Sequence, residues 1–372
     1  MGNLIEYVEN NMNTMARQSF NIVDSLVLSQ LSYLRFERIV PMLPNRSSSV
    51  RIADLLKAEM FGSMFQNLLD PESNKRFLFV LAASPRFRNI GLNHYVNLFD
   101  PVLEKQFAAV TCFLEDETAY VAYRGTDSTF VGWKEDFNMA YISPVPSQES
   151  GTKYLDEVAK RTSNKLKLRV GGHSKGGNLA VYAAIKCDPR VQKRIIAVFN
   201  HDGPGFKDSL FECTEYSRIK DRIHTTLPEE SLVGMLLQHH SDYSVVKSSR
   251  RGVMQHDPFS WIVENDDFSY AEHIDKGAMH RNKALNEWLS GLSDEKRKQF
   301  VDVLFHIIEK TNADTIVELS DDWRRSVGAI LSAIKGIDPE SRKFVLQAIN
   351  DFARLSIRNL FGPKSLSSSE PG

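Results

Sequence analysis

The run Gly172-His173-Ser174-Lys175-Gly176, flanked by Gly171 and Gly177, constrains this chain more than any other feature. It lies between KLKLRVGG, an alternating stretch of strand type, and NLAVYAAIKC, a helix rich in small apolar residues. A serine held in G-x-S-x-G between a strand and a helix sits on a tight turn with unusual backbone angles. Side chains at residues 172 or 176 would collide across that turn. The helix that follows points its amide dipole at the serine and favours negative charge developing there. Ser174 is therefore the candidate nucleophile. A glycine-rich phosphate-binding turn is the competing reading, but neither G-x-x-x-x-G-K-[ST] nor G-x-G-x-x-G occurs.

The surrounding sequence supplies the sheet that such a turn requires. FAAVTCFLE and AYVAYRG are short strand-like runs separated by Glu115-Asp116-Glu117, a hairpin pattern. A helix is expected near 151–164. RIIAVFNHDG, RIHTTLP and YSVVKSS read as further strands. Strands alternating with helices over 107–250 predict a parallel or mixed sheet with helices on it. No strand pattern follows residue 255. The expected fold class is α/β, a mostly parallel central sheet flanked by helices.

Helices are expected at both ends. Apolar residues at helical spacing over 14–40 predict an opening helix or helix pair, starting at Asn21 or Ser25 and stopping at Pro41. A second amphipathic helix is expected over 51–69, and Leu232–Leu237 as a buried helix face. In the last third, Phe300, Val301, Leu304, Phe305 and Ile308 form a helical stripe that Ser293 can cap. Ser320 and Asp338-Pro339 mark later helix starts. The expected organisation is a 1–283 domain with an N-terminal helical extension, a 284–363 helical subdomain and a disordered polar tail over 364–372.

A nucleophilic serine needs a base, and the base needs an orienting acid, here in the chain order Ser, acid, His. His256 follows the last main strand pattern, where the base belongs. Asp202, in Asn200-His201-Asp202-Gly203, follows the strand after the nucleophile helix and is the favoured acid. Glu230, after RIHTTLP, is its rival, and Asp202 could instead be a plain Asp-Gly turn residue. Oxyanion donors are expected from the Lys175 backbone N–H and from Thr126, at the end of the AYVAY strand.

Arg124-Gly125-Thr126-Asp127 followed by Trp133 and Asp136, with the glycine–serine run, resembles the paired signature of class 3 lipases. The wider sequence more closely resembles a bacterial Mbeg-like family of lipase-like proteins. It includes Asp202-Gly203-Pro204-Gly205-Phe206, Ser231-Leu232-Val233-Gly234-Met235 and Gln255-His256-Asp257. The resemblance covers roughly 15–275. It implies an α/β-hydrolase fold with Ser174 as nucleophile, Thr126 as oxyanion donor and His256 as base. Two departures stand out. Lys175 replaces the usual small or apolar residue, placing a cation at the mouth of the site, and Glu229-Glu230-Ser231 stands where an aspartate segment is usual. The comparison further suggests that Trp133 and Phe137 bind substrate, lining an acyl pocket or a lid.

Balanced charge, 46 basic against 47 acidic residues, gives no field for nucleic acid, and Lys247–Arg251 reads as a solvated edge. His239-His240 point different ways and the three cysteines are scattered, so no metal and no cofactor are expected. No run of about 18 apolar residues occurs and Glu6 and Glu9 spoil a signal peptide, so a cytoplasmic protein making at most transient contact with a lipid surface is expected. The reaction expected is hydrolysis of a carboxylic ester, a small-molecule or lipid-like acyl substrate, through an acyl-enzyme on Ser174. An acyltransferase using the same residues and a non-catalytic interaction protein on the same scaffold are the alternatives.

Overall fold

The computed structural model describes residues 2–44, 48–237, 242–309, 339, 342–347 and 350. The strands are β1 (Val50–Arg51), β2 (Gly91–Asp100), β3 (Lys105–Phe113), β4 (Thr118–Tyr123), β5 (Lys167–His173), β6 (Ile195–His201), β7 (Ile223–Pro228), β8 (Tyr243–Val246), β9 (Val263–Glu264), β10 (Asp267–Phe268) and β11 (Tyr270–Ala271). The α-helices are α1 (Leu4–Asn10), α2 (Ile22–Leu31), α3 (Phe61–Met64), α4 (Pro71–Ala83), α5 (Phe130–Asn138), α6 (Pro146–Arg161), α7 (Lys175–Lys186), α8 (Pro189–Gln192), α9 (Thr214–Ile219), α10 (Lys276–Gly291) and α11 (Asp294–Glu309).

Among the described residues one nine-stranded sheet runs in the order β1-β2-β3-β4-β5-β6-β7-β8-β11. Its centre, β4 through β8, is parallel, and β1 to β4 and β11 add antiparallel flanks. The central strands are buried on both faces, as parallel strands covered by helices must be. Along β4, Tyr120 and Ala122 pack into one apolar cluster with α2 and α4, while Ala119, Val121 and Tyr123 pack into another with α6 and α7. The α/β sheet with helices on both faces matches the sequence expectation.

The N-terminal helices belong to this body. Asn21 caps α2, its side chain accepting from Asp24 N–H while the Asp24 carboxylate accepts from Asn21 N–H. Asp24 also takes Arg86 Nε at 2.7 Å and Nη2 at 2.5 Å, and the rest of the buried guanidinium donates to the carbonyls of Asn13, Gln18 and Ser19. Ser25 Oγ meets His201 Nε2 at 2.7 Å and Ser29 Oγ meets Tyr120 Oη at 2.8 Å, which fix α2 beneath β4 and β6.

Several local expectations give way. Helix covers only 22–31 of the 14–40 stretch. The 51–69 segment is not one amphipathic helix, because Ile52 and Ala53 donate to Ile90 and Arg88 carbonyls, leaving short 3-10 turns and α3. Leu232–Leu237 is irregular: apart from one turn bond, Leu236 N–H to Val233 O, its backbone bonds Gly205 and Asn286. Strands do occur after 255: Val263 pairs with Gly2, and β11 extends the sheet beside β8. The helix α10, capped by Asp275, starts at Lys276 and runs across position 284. Ser293 accepts from Lys296 N–H at the start of α11. Both helices join one apolar cluster with Trp133, which α5 carries. Ser320, Asp338 and the 364–372 tail lie outside the described residues.

Candidate active site

The backbone places Ser174 at φ 58°, ψ −136°, between β5 and α7. L-residues are strained at such angles, and the turn survives because both flanks are packed without side chains. A Cβ on Gly172 would stand 2.2 Å from Gly176 C, and one on Gly176 2.1 Å from Tyr123 O. Ser174 N–H donates to His201 O at 2.8 Å, so β6 holds the turn from its other side.

The same device recurs at Asp202, at φ 52°, where β6 ends. Its N–H donates to Thr226 O, and its carboxylate is fully buried. Oδ2 lies 2.6 Å from His256 Nδ1, while Oδ1 accepts from Ser231 Oγ at 2.5 Å and Gly234 N–H at 3.2 Å. An aspartate so placed selects the Nδ1–H tautomer of His256 and leaves Nε2 as a base. Glu230 is elsewhere. Its N–H donates to Gln255 Oε1, and its carboxylate receives Gln255 Nε2 at 3.4 Å and Arg281 at 3.7 Å.

Ser174 and His256 line a single cavity of about 70 Å³ with Thr126, Tyr33, Trp133 and Met254. His173, next to the serine, packs against His256 with ring centroids 4.6 Å apart and the planes tilted by 35°. Its Nε2 lies 2.8 Å from the His256 carbonyl, which can only accept, so Nε2 carries the proton and Tyr33 Oη donates to Nδ1 at 2.9 Å. Burial first, then the neighbouring His256, holds the His173 pKa well below that of an ordinary histidine. It is a neutral prop: one hydrogen bond holds the His256 backbone carbonyl and the other ties the ring to Tyr33.

The Arg124–Asp127 loop reaches the same cavity through Thr126 and Asp127. Asp127 pairs with Arg124 at 3.7 Å and Arg35 at 3.4 Å and accepts from Thr129 N–H, so the loop is internally bound. Thr126 Oγ donates to Asp136 Oδ2 at 2.5 Å. Its hydroxyl proton is thereby committed, whereas the backbone N–H groups of Thr126 and Lys175, both in buried residues, donate to no other described residue. Burial pushes the Asp136 pKa up to about 6, against the lowering effects of Lys175 and the Thr126 hydrogen bond.

Lys175 overturns one expectation. Its ammonium is not at the mouth of the site: it is fully buried, 3.1 Å from Glu135 Oε2 and 2.9 Å from Gln106 O. Glu135 also accepts from Gln106 and Ser147 N–H, which satisfies the charge on both sides. The pair ties α5, next to Thr126, to α7, next to Ser174. Trp133 lines both the serine's cavity and a second, apolar cavity of about 130 Å³ under α10 and α11. Phe137 lines only the second and packs edge-on against Phe305, 5.8 Å away.

Sequence reasoning did not assign Ser231, His173, Tyr33 or the Glu135–Lys175 pair. Ser231 and His173 stand in motifs already singled out, but nothing local marks their partners. Among the described residues no helix is long and apolar enough to cross a membrane.

Fold and site define an α/β-sheet protein with a serine on a strand–turn–helix elbow and an aspartate-held histidine lining the same cavity. The chain belongs to the Mbeg1-like family, whose model matches residues 81–306. Among solved structures it is similar to the crystal structure of M37 lipase, at 17% identity and a TM-score of 0.34, covering 57% of this chain and 68% of that one. No curated protein matches.

Proposed function

We propose that the protein is a serine hydrolase that cleaves a carboxylic ester through an acyl-enzyme on Ser174. The observation that carries this reading is the 2.6 Å contact between Asp202 and His256 Nδ1 at a cavity that the strained Ser174 also lines. His256 Nε2 takes the hydroxyl proton as Ser174 Oγ attacks the carbonyl carbon, and the carbonyl π electrons move to oxygen. The N–H groups of Thr126 and Lys175 stabilise that oxyanion, each such donor supplying about 2.7–4 kcal/mol of barrier lowering. As the tetrahedral species collapses, the imidazolium passes the proton to the leaving alcohol oxygen. Water then attacks the acyl-enzyme with His256 again as base, and Ser174 recovers its proton.

The apolar cavity beyond Trp133 suits an acyl chain, which favours a lipid-like ester. Cys112, Cys187 and Cys213 are free thiols, and this suits a reducing cytoplasm. A panel of p-nitrophenyl esters from acetate to palmitate, run beside Ser174→Ala, tests the reading. Turnover that vanishes with the hydroxyl supports it. Turnover that persists in Ser174→Ala, or a folded wild type inert both to the panel and to a fluorophosphonate, refutes it.

A further inference from the structure

The hairpin joining β2 to β3 carries an apolar tip that no part of the proposed chemistry uses. Leu98, Phe99, Val102 and Leu103 are 41%, 52%, 91% and 54% exposed. Two carboxylates beside them bond within the fold. Asp100 Oδ1 accepts from Val102 N–H and Leu103 N–H, each at 3.0 Å. Glu104 is drawn back toward α5, where Lys134 lies 2.9 Å and Asn138 Nδ2 2.7 Å from its carboxylate. The turn is pre-formed, with these backbone donors satisfied and its aliphatic groups facing outward.

Sheet register places this tip. Tyr123, the last residue of β4, pairs with Gly172 of β5 and with Ala109 of β3. Residues 105–108 therefore run past the end of β4 on the edge where Ser174 and Thr126 sit. Asp100 pairs with Lys105 at the end of that overhang. At about 3.3 Å per residue, the tip projects roughly 13 Å beyond that edge. The four side chains expose roughly 400 Å² together, enough to mark a contact site but about half of what each partner contributes to a standard protein interface. Its area falls short of a standard protein interface, and the one basic side chain in the turn is Lys105, opposite Asp100. A fluid apolar medium suits it better than a shaped protein pocket.

We propose that this tip docks the protein on a lipid surface by inserting Phe99, Val102 and Leu103 below the headgroups of a neutral bilayer. The inference goes beyond the hydrolase reading and stands without it. If both hold, docking turns the catalytic edge toward the membrane.

The test is sedimentation of the full chain with sucrose-loaded phosphatidylcholine vesicles, comparing wild type, Ser174→Ala and the double variant Val102→Asp/Leu103→Asp. Wild type and Ser174→Ala should sediment equally. With no basic cluster at the tip, binding should be little changed between about 0.1 M and about 0.5 M salt. The double variant should lose about tenfold or more in partitioning, with an unchanged melting temperature because both positions are exposed. A wild type that stays in the supernatant overturns the proposal. So does full binding by the tip variant, binding that salt abolishes, or a tip variant that changes only the oligomeric state in gel filtration. None of these outcomes depends on whether Ser174 turns over an ester, so the two readings fail separately.

Discussion

Asp136 is the acid most out of its ordinary range at the candidate site, and replacing it with asparagine should stabilise the protein. Burial raises its folded pKa to about 6, against about 3.9 for an aspartate in an unfolded chain. Between those values the folded state binds more protons than the unfolded state, so this group's contribution to stability falls as pH rises from about 4 to 6. Above pH 7 the cost levels off at about 3 kcal/mol, two pKa units at 1.36 kcal/mol each. Asparagine keeps a carbonyl oxygen for the Thr126 hydroxyl and removes the buried charge. Urea unfolding should therefore show Asp136→Asn more stable by about 3 kcal/mol at pH 7.5, by about half that at pH 5, and barely at all near pH 4. A gain that is absent at pH 7.5, or the same at every pH, would refute the reasoning. The first outcome would mean that Lys175 and Thr126 fully compensate the charge.

Two other substitutions probe how the site is held. Asp202→Asn should lower kcat of any esterase activity by roughly 10³–10⁴ by favouring the wrong His256 tautomer, while Glu230→Gln should leave it within about twofold. Equal losses would shift the acid role away from Asp202. Lys175→Met should cost about 3–5 kcal/mol in chemical denaturation because Glu135 is left charged and buried. Adding Glu135→Gln should recover much of that, and strict additivity in this cycle would argue against a coupled pair.

The parts of the molecule legible from sequence are those that local pattern dictates. The run from Val170 through the glycines to Ala184 specifies a strand, a turn without room for side chains and a helix, and the structure has each. The β3–β4 hairpin announced itself through Glu115-Asp116-Glu117 between two apolar runs. Failures share a cause. Residues 51–69 have helical spacing, yet their first amides find better partners in the chain near Ile90, and tertiary pairing overrides periodicity. Lys175 looked like a surface cation because lysine usually is one. Only a buried carboxylate contributed by another helix, Glu135, makes its burial affordable, and spacing along the chain carries no sign of that partner. Asp202 and Glu230 were both admissible acids by order along the sequence. What separates them is a backbone turn at φ 52° that aims one carboxylate at His256 while the other meets Gln255 and Arg281.

The position of α2 under the sheet has a consequence for how the chain is made. Its Ser25 meets His201 across 176 residues of sequence. At a synthesis rate of roughly 5–20 residues per second, this helix leaves the ribosome some 10–35 s before the strand it supports. Until β4 and then β6 follow, Val23, Leu26, Val27 and Leu31 lack part of the sheet they rest on. The nascent segment is then an oily ribbon awaiting its seat, and the last hydrogen bond that anchors it forms only after residue 201 has been made.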